Sequence, residues 1–395
     1  MERRLRTEAH SVKVNRWLLP LSRIYGAAVW LRNKLFDAGA LKSRRYPLPV
    51  IAVGNIAVGG SGKTPHVEYI ARLLKGKAQV AILSRGYKRR TKGYVLAGAA
   101  PTAEEIGDEP CQMKRKLPWA HVAVCNDRRQ GIERLTTDKE TRDTGAVVLD
   151  DAYQHRYVKP GLNILLTDYR RLFAYDELLP AGRLREPASG KSRADIVVVT
   201  KCPKDITPME CRVVSKALDL FPYQKLYFTH MEYGSLCPVA GGKAQPLGSV
   251  PSAENILLVT GIAAPGHMLD DLRQLFPSIR HMAFPDHHRF TAKDAGRIGA
   301  EFAAMPAPKR IITTEKDATR LAGAGLPAEA LAAAYALEVR VEFMHGQKEK
   351  FNETINTYVR KNQRNGGLAK AKDVHKPKNR DHTRNGPRTI SFRNN

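Results

Sequence analysis

Val50-Ile51-Ala52-Val53-Gly54-Asn55-Ile56-Ala57-Val58-Gly59-Gly60-Ser61-Gly62-Lys63-Thr64-Pro65 is the stretch that decides the fold. A β-branched run leads into a glycine-rich turn, and Gly-Lys-Thr then opens a helical pattern carried by Val67, Ile70, Ala71 and Leu74. Strand, loop and helix in that order are the frame of a P-loop. Residues Ala57, Val58, Gly59, Gly60, Ser61, Gly62, Lys63 and Thr64 are the candidate nucleotide-binding set. Glycines let backbone N–H groups curl round a polyphosphate, Lys63 would reach the β- and γ-phosphates of ATP, and Thr64 would offer its hydroxyl to Mg²⁺. Pro65 suits a first helical turn. The strict pattern G-x-x-x-x-G-K-[ST] wants glycine at position 57, where Ala57 stands. Gly59 and Gly60 are read as compensating. The bland alternative, an accidental glycine-rich turn, is disfavoured by the placement between strand and helix.

Outward from this loop, short apolar runs recur: Val80 to Leu83, Val122 to Val124, Val147 to Leu149, Ile164 to Leu166 and Ile196 to Val199. Such runs read as buried parallel strands, and helical patterns between them predict an α/β fold, a doubly wound parallel sheet of P-loop NTPase-like type. A polar, Gly-containing stretch at 225–250 reads as a β-hairpin linker. Strand-like segments resume at Ile256 to Val259 and Ile311 to Thr314, which predicts a second, smaller α/β domain. The expected organisation is an N-terminal amphipathic region (1–46), a kinase-type domain (47–224), the linker (225–250), the second domain (251–360) and a basic unstructured tail (361–395).

Charge narrows the partners. Over 395 residues the formal net charge is +26, with 43% hydrophobic and 26% charged residues, which fits a globular protein of about two domains. Residues 1–49 hold 11 Lys/Arg against 3 acids and residues 360–395 hold 11 against 2, so the ends carry +17 of the total. An anionic partner follows. With no RNP-type, zinc-finger or helix-turn-helix pattern, nucleic acid is not expected and a membrane or phosphorylated substrate fits better. Five cysteines without a C-x-x-C pair imply a reducing compartment and no zinc site. Leu21, Ile24, Tyr25, Ala28, Leu31 and Leu35 recur at helical spacing beside Trp17, Trp30 and basic residues. Two readings stay open on that pattern: a face packed on the protein, or an interfacial helix on an anionic membrane.

Ala146-Val147-Val148-Leu149-Asp150-Asp151 is a Walker-B-like strand ending in acids that would help hold the metal, against the plain reading of a capping or turn pair. Phosphoryl transfer to an alcohol also needs a proton acceptor. Candidates are Asp108, in Gly107-Asp108-Glu109-Pro110, and the cluster Asp286-His287-His288, which sequence spacing alone does not join.

Taken in order, these motifs resemble the tetraacyldisaccharide 4′-kinase family, the lipid A 4′-kinases of Gram-negative bacteria. The resemblance runs from about Leu18 to Phe351. It includes the loop above, Ser84-Arg85-Gly86-Tyr87, Gly107-Asp108-Glu109-Pro110 and Asp150-Asp151-Ala152-Tyr153-Gln154-His155. It continues with Leu179-Pro180-Ala181-Gly182-Arg183-Leu184-Arg185-Glu186-Pro187, Asp286-His287 and Thr314-Glu315-Lys316-Asp317-Ala318. It implies transfer of the ATP γ-phosphate to the 4′-hydroxyl of tetraacyldisaccharide 1-phosphate, giving lipid IVA, with Mg²⁺ as cofactor. It also implies an N-terminal helix docked on the cytoplasmic face of the inner membrane, peripheral or monotopic; a monomer is expected. Carried over by position, Asp108 is the implied base and His287 its orienting partner, brought together by domain closure. Lys63, Asp150 and Asp151 join them as catalytic residues, Thr64, Asp150 and Gln154 are the implied metal set, and Arg185 and Glu186 the substrate rim. The family's usual Asp-Asp-Gly-Phe-Gln is Asp-Asp-Ala-Tyr-Gln here, and the tail past about Lys361 matches nothing in it. Two other classes compete. A P-loop switch is faintly indicated by Val199-Thr200-Lys201 but lacks the acid where Pro203 stands, and a non-catalytic membrane module is disfavoured by the intact Lys63, Thr64, Asp108, Asp150 and Asp151.

Overall fold

The computed structural model describes residues 12, 14–263 and 265–374, with side chains through residue 363. Its strands are β1 (Val50–Asn55), β2 (Val80–Ser84), β3 (Val95–Leu96), β4 (His121–Val124), β5 (Ala146–Asp150), β6 (Leu162–Asp168), β7 (Ile196–Thr200), β8 (Lys225–Pro238), β9 (Gln245–Pro246), β10 (Asn255–Thr260), β11 (Ile279–Ala283), β12 (Lys309–Thr314) and β13 (Ala334–Phe343). They form one mixed sheet, ordered β11-β10-β12-β13-β8-β7-β6-β1-β5-β2-β4-β3, with β9 beside β8. The strands β7-β6-β1-β5-β2-β4 run parallel, as do β11-β10-β12-β13.

Side-chain alternation explains why β1 is apolar throughout. Ile51 and Val53 face a core filled by Val67, Ile70 and Leu74 of the helix Lys63–Leu74, while Val50 and Ala52 face another filled by Ile132 and Leu135 of the helix Arg128–Thr137. A strand covered on both faces has no polar side to show. The same division recurs at β10, where Leu257 and Val259 enter one core and Ile256 and Leu258 another.

The two halves share β8. Its first residues, Lys225 to Phe228, pair parallel with β7, and its later ones, from Thr229, pair antiparallel with β13. The stretch read as a linker therefore continues the sheet from one half into the other, and its hairpin is the β8–β9 pair.

Two departures concern the C-terminus. The helix Lys348–Val374 leaves the second half and packs on the first, with Phe351, Ile355 and Val359 on one stripe in the core of Ile51 and Val53. Tyr358 Oη accepts from Val50 N at 3.1 Å and donates to Val50 O at 3.0 Å. The helix also runs through the point, about Lys361, where an unstructured tail is expected from composition. Once the anchored turns are formed, each added residue gains a hydrogen bond, and the Lys, Arg, Gln and Ala residues that follow are good helix formers. The rest of the expected tail, 375–395, lies outside the described residues.

At the other end, the helix Leu19–Asp37 turns a small polar face inward. Ser22 Oγ donates to Leu178 O at 2.9 Å and accepts from Ala181 N at 2.9 Å, Tyr25 Oη donates to Arg185 O at 2.7 Å, and Arg32 Nη2 to Gln154 O at 3.0 Å. Phe36 is buried against Tyr157, but most of the helix's large apolar side chains face out: Trp17, just before the helix, is 93% exposed and Ile24 69%, and Leu21, Trp30 and Leu31 are also exposed. Among the described residues no helix is long and apolar enough to cross a membrane.

Candidate active site

The glycine-rich loop leaves β1 and enters its helix through Gly62, whose φ of +78° is one that L side chains rarely adopt; a Cβ there would also collide with Met231. Neighbouring elements fix the loop's carbonyls. Thr200 Oγ1 donates to Ser61 O at 3.0 Å, and Lys201 Nζ donates to Gly60 O and pairs with Asp168 at 2.9 Å. His66 is fully buried, and burial lowers its pKa to about 4, so the ring is neutral; Nδ1–H donates to Gly62 O at 2.7 Å and Nε2 accepts from Thr229 Oγ1 at 3.2 Å. Arg183 O accepts from Val58 N and Ile56 O from Arg185 N, both at 2.7 Å, which fastens the loop to the segment carrying Arg185.

Lys63 Nζ lies 3.4 Å from Asn55 Oδ1 and 3.5 Å from Asp151 Oδ1. Asp150 ends β5 beside the loop. Burial, reinforced by the charge of Asp151, raises its pKa to about 7; Oδ2 accepts from Ser84 Oγ at 2.9 Å and Oδ1 is buried with no partner. Burial would raise Asp151 too, but Lys63 and then Arg185, whose Nη1 lies 3.3 Å from both carboxylate oxygens, hold it below the usual range. Asp151 takes a φ of +48°, a backbone strain that such sites often carry. Gln154 Nε2 donates to Asn55 O at 2.7 Å and to Glu186 Oε1 at 2.8 Å, and Arg193 pairs with Glu186 at 2.7 Å. Glu186 is thus buried behind the loop, whereas Arg185 reaches the acids.

Asp108 is the first residue of the helix Asp108–Lys116, reached through Gly107 at φ +91°, where a Cβ would come within 3.0 Å of Tyr87 O. The fold brings His287, 179 residues away, to it: His287 Nδ1 lies 3.2 Å from Asp108 Oδ2. Tyr87 packs edge-on to the His287 ring at 5.2 Å, and His287 takes a φ of +59°. His288, its neighbour, turns away to Asp294 at 3.0 Å, an acid that caps the helix Ala292–Ala303. Burial pushes Asp108 up, but His287, Arg320 and Lys316 outweigh it and hold the carboxyl at about 2.

Arg128 and Arg320 carry no separate signal in the sequence, and Lys316 shows only as part of the Thr314–Ala318 motif. Arg128 is buried behind the acid pair, with Nη2 3.5 Å from the carbonyls of Asp150 and Asp151. Arg320 donates Nε to Asp108 Oδ1 at 2.9 Å, and Lys316 meets Glu109 at 3.2 Å. Charges spaced along a helix ordinarily mark a solvated face, so only the tertiary contact distinguishes these.

Fold and site together define an ATP-dependent phosphotransferase of the mixed α/β class. The chain belongs to the tetraacyldisaccharide-1-P 4′-kinase family, whose model matches residues 14–360. It is 54% identical to the tetraacyldisaccharide 4′-kinase of Phocaeicola vulgatus over 92% of this chain and 100% of that one, and 52% identical to that of Bacteroides fragilis over 93% and 100%. Among solved structures it is similar to "apo" form LpxK from Aquifex aeolicus in complex with ATP, at 31% identity and a TM-score of 0.67, covering 87% of this chain and 99% of that one.

Proposed function

We propose that the chain transfers the γ-phosphate of ATP to the 4′-hydroxyl of tetraacyldisaccharide 1-phosphate, yielding ADP and lipid IVA for lipid A. The observation that carries this reading is the meeting of Asp108 and His287, from opposite halves, on the sheet that also holds the lysine-bearing loop. The loop Gly59–Thr64 is the phosphate-binding P-loop of the proposal, with Lys63 on the β- and γ-phosphates. The hydroxyl oxygen forms a bond to the γ-phosphorus as the bond to the bridging oxygen breaks, and the hydroxyl proton passes to Asp108, oriented by His287. Closure of the second half over the first sets this pair against the acceptor.

The donor set fits Mg²⁺. Asp150 Oδ1 is a buried oxygen with no partner among the described residues, and it and the Thr64 hydroxyl are the groups that would hold the ion. Bound there, Mg²⁺ would offset phosphate charge. Gln154, engaged with Asn55 and Glu186, holds the Asp150–Asp151 turn against the loop. Arg185, paired to Asp151, lies at the substrate rim. The outward apolar side chains of Trp17, Leu21, Ile24 and Leu31, in a basic segment, support seating on an anionic membrane, the cytoplasmic face of the inner membrane, where the lipid substrate resides.

The test is transfer of label from γ-labelled ATP with Mg²⁺ to the lipid disaccharide 1-phosphate in detergent micelles, with the phosphorylated position mapped. Label at the 4′-position, absent with Lys63→Ala, is the expected result. ATP hydrolysis without labelled lipid would point instead to a nucleotide switch.

A further inference from the structure

Around the Asp108–His287 pair stands a shell of charge supplied almost wholly by the second half. Asp108 is faced by Arg320 and Lys316 of the helix Glu315–Leu321 and by His287 of the loop after β11, while Asp286 of that loop and Glu109 of its own helix meet His287 and Lys316. Arg320 grips the carboxylate with two nitrogens: Nε donates to Oδ1 at 2.9 Å and Nη2 to Oδ2. The guanidinium is itself fixed, with Nη1 3.4 Å from Asp317 Oδ1 and 3.3 Å from His288 O, and its side chain is 9% exposed. Lys316 Nζ lies 3.1 Å from His287 Nε2, 3.2 Å from Glu109 and 3.4 Å from Asp286.

An ammonium group can only donate. Lys316 donates to Nε2 at 3.1 Å, whereas the one donor near Nδ1 besides its own proton, Arg320 Nη2 at 3.4 Å, is already committed to Asp108 Oδ2; the shorter contact makes Nε2 the acceptor and leaves the ring proton on Nδ1, donated to Asp108 Oδ2 at 3.2 Å. Which nitrogen carries the proton follows here from the partner on the other side of the ring.

Resting on the proposed transfer reaction, we propose that Lys316 and Arg320 are positioning residues of the proton acceptor: Lys316 fixes His287 as the Nδ1–H tautomer, and Arg320 fixes the orientation and basicity of Asp108. A carboxylate gripped by a guanidinium is a weak base. Phosphoryl transfer tolerates this, because its loose transition state demands little covalent help and much positioning. Both groups come from the second half, so the acceptor is complete only when the halves are together.

The tautomer is read without any substitution. In full-length protein labelled with ¹⁵N-histidine, the His287 signals, assigned by their loss in His287→Asn, should show a protonated Nδ1 and an unprotonated Nε2, and Lys316→Met should admit the Nε2–H form. A wild-type ring protonated at Nε2, or on both nitrogens, overturns the assignment to Lys316. For Arg320, the pH profile of kcat/KM is compared in wild type, Arg320→Gln and Arg320→Lys, with ATP binding measured to establish that each variant is folded. Losing the guanidinium should move the acidic limb upward by about 1–3 pH units, and lysine, which keeps the charge but not the fork, should bring it part of the way back. An unmoved limb in a variant that binds ATP normally overturns the role of Arg320. Asp108→Asn separates the two claims: if it turns over at the wild-type rate, the reaction scheme itself is wrong, whereas an inactive Asp108→Asn beside an unmoved Arg320→Gln limb defeats this inference alone.

Discussion

The glycine-rich loop and the Asp108 corner lie on the same sheet but are held in different ways. The loop is braced by its own neighbourhood: His66 one turn into its helix, Thr200 and Lys201 at the end of β7, and the segment around Arg183. The Asp108 corner is braced from across the molecule by His287, Lys316 and Arg320. One end of the site is therefore held mainly by contacts around β1, β7 and β8, and the other by side chains that only the second half supplies. A kinase built this way can hold nucleotide without being ready to use it.

The comparison breaks first if the halves are not coupled. Lys116 sits between Glu68 of the loop helix, at 2.5 Å, and Glu315 of the second half, at 2.9 Å, with all three side chains largely buried. Removing the cation strands two carboxylates that burial already pushes up. Lys116→Met should cost about 3–5 kcal/mol in urea unfolding, and a neutral result would mean the halves are joined elsewhere. Lys63→Ala should next lower kcat by about 10²–10³, with a smaller loss of stability than Lys116→Met, since its ammonium offsets the half-buried Asp151 at 3.5 Å. Ile24→Ser and Leu31→Ser should each weaken co-sedimentation with anionic vesicles by about 10-fold, from about 1.5 kcal/mol of lost apolar burial, while ATP binding stays as it was. The smallest effect is on stability against pH. Asp108 titrates at about 2 in the folded chain, below its ordinary 3.8, so its pairing stabilises fully above about pH 4 and is lost as pH falls toward 2. The advantage of wild type over Asp108→Asn in urea unfolding should shrink between about pH 6 and about pH 3; a constant gap would place Arg320 away from Asp108 in solution.

The same contrast governs what the sequence discloses. Val50 to Val53, Val80 to Leu83, Val147 to Leu149 and Ile196 to Val199 announce β1, β2, β5 and β7 because strands buried on both faces must be apolar at every position. The strand β13 alternates Glu338, Arg340 and Glu342 with apolar residues, and β11 holds Arg280 and His281, so neither stands out as a buried run. The loop residues and the Asp150–Asp151 pair are legible because strand, turn and acid are local in the chain. Asp108 and His287 can each be nominated, yet their contact is a product of topology. Lys316 lies in a motif that resembles the family, but nothing in spacing says that its ammonium meets His287 or that Arg320, one turn on, grips Asp108. The return of the helix Lys348–Val374 to Val50 is hidden for the same reason: its stripe of Phe351, Ile355 and Val359 shows that one face is buried, not against what.

The most direct test of this divided site is to measure ATP affinity and single-turnover phosphoryl transfer side by side in Asp108→Asn. ATP should bind within about 2-fold of wild type while transfer to the lipid 4′-hydroxyl slows by about 10²–10⁴, the range of a lost proton acceptor. Transfer at the wild-type rate, or nucleotide binding lost along with transfer, would contradict the division of labour between the loop and the Asp108 corner.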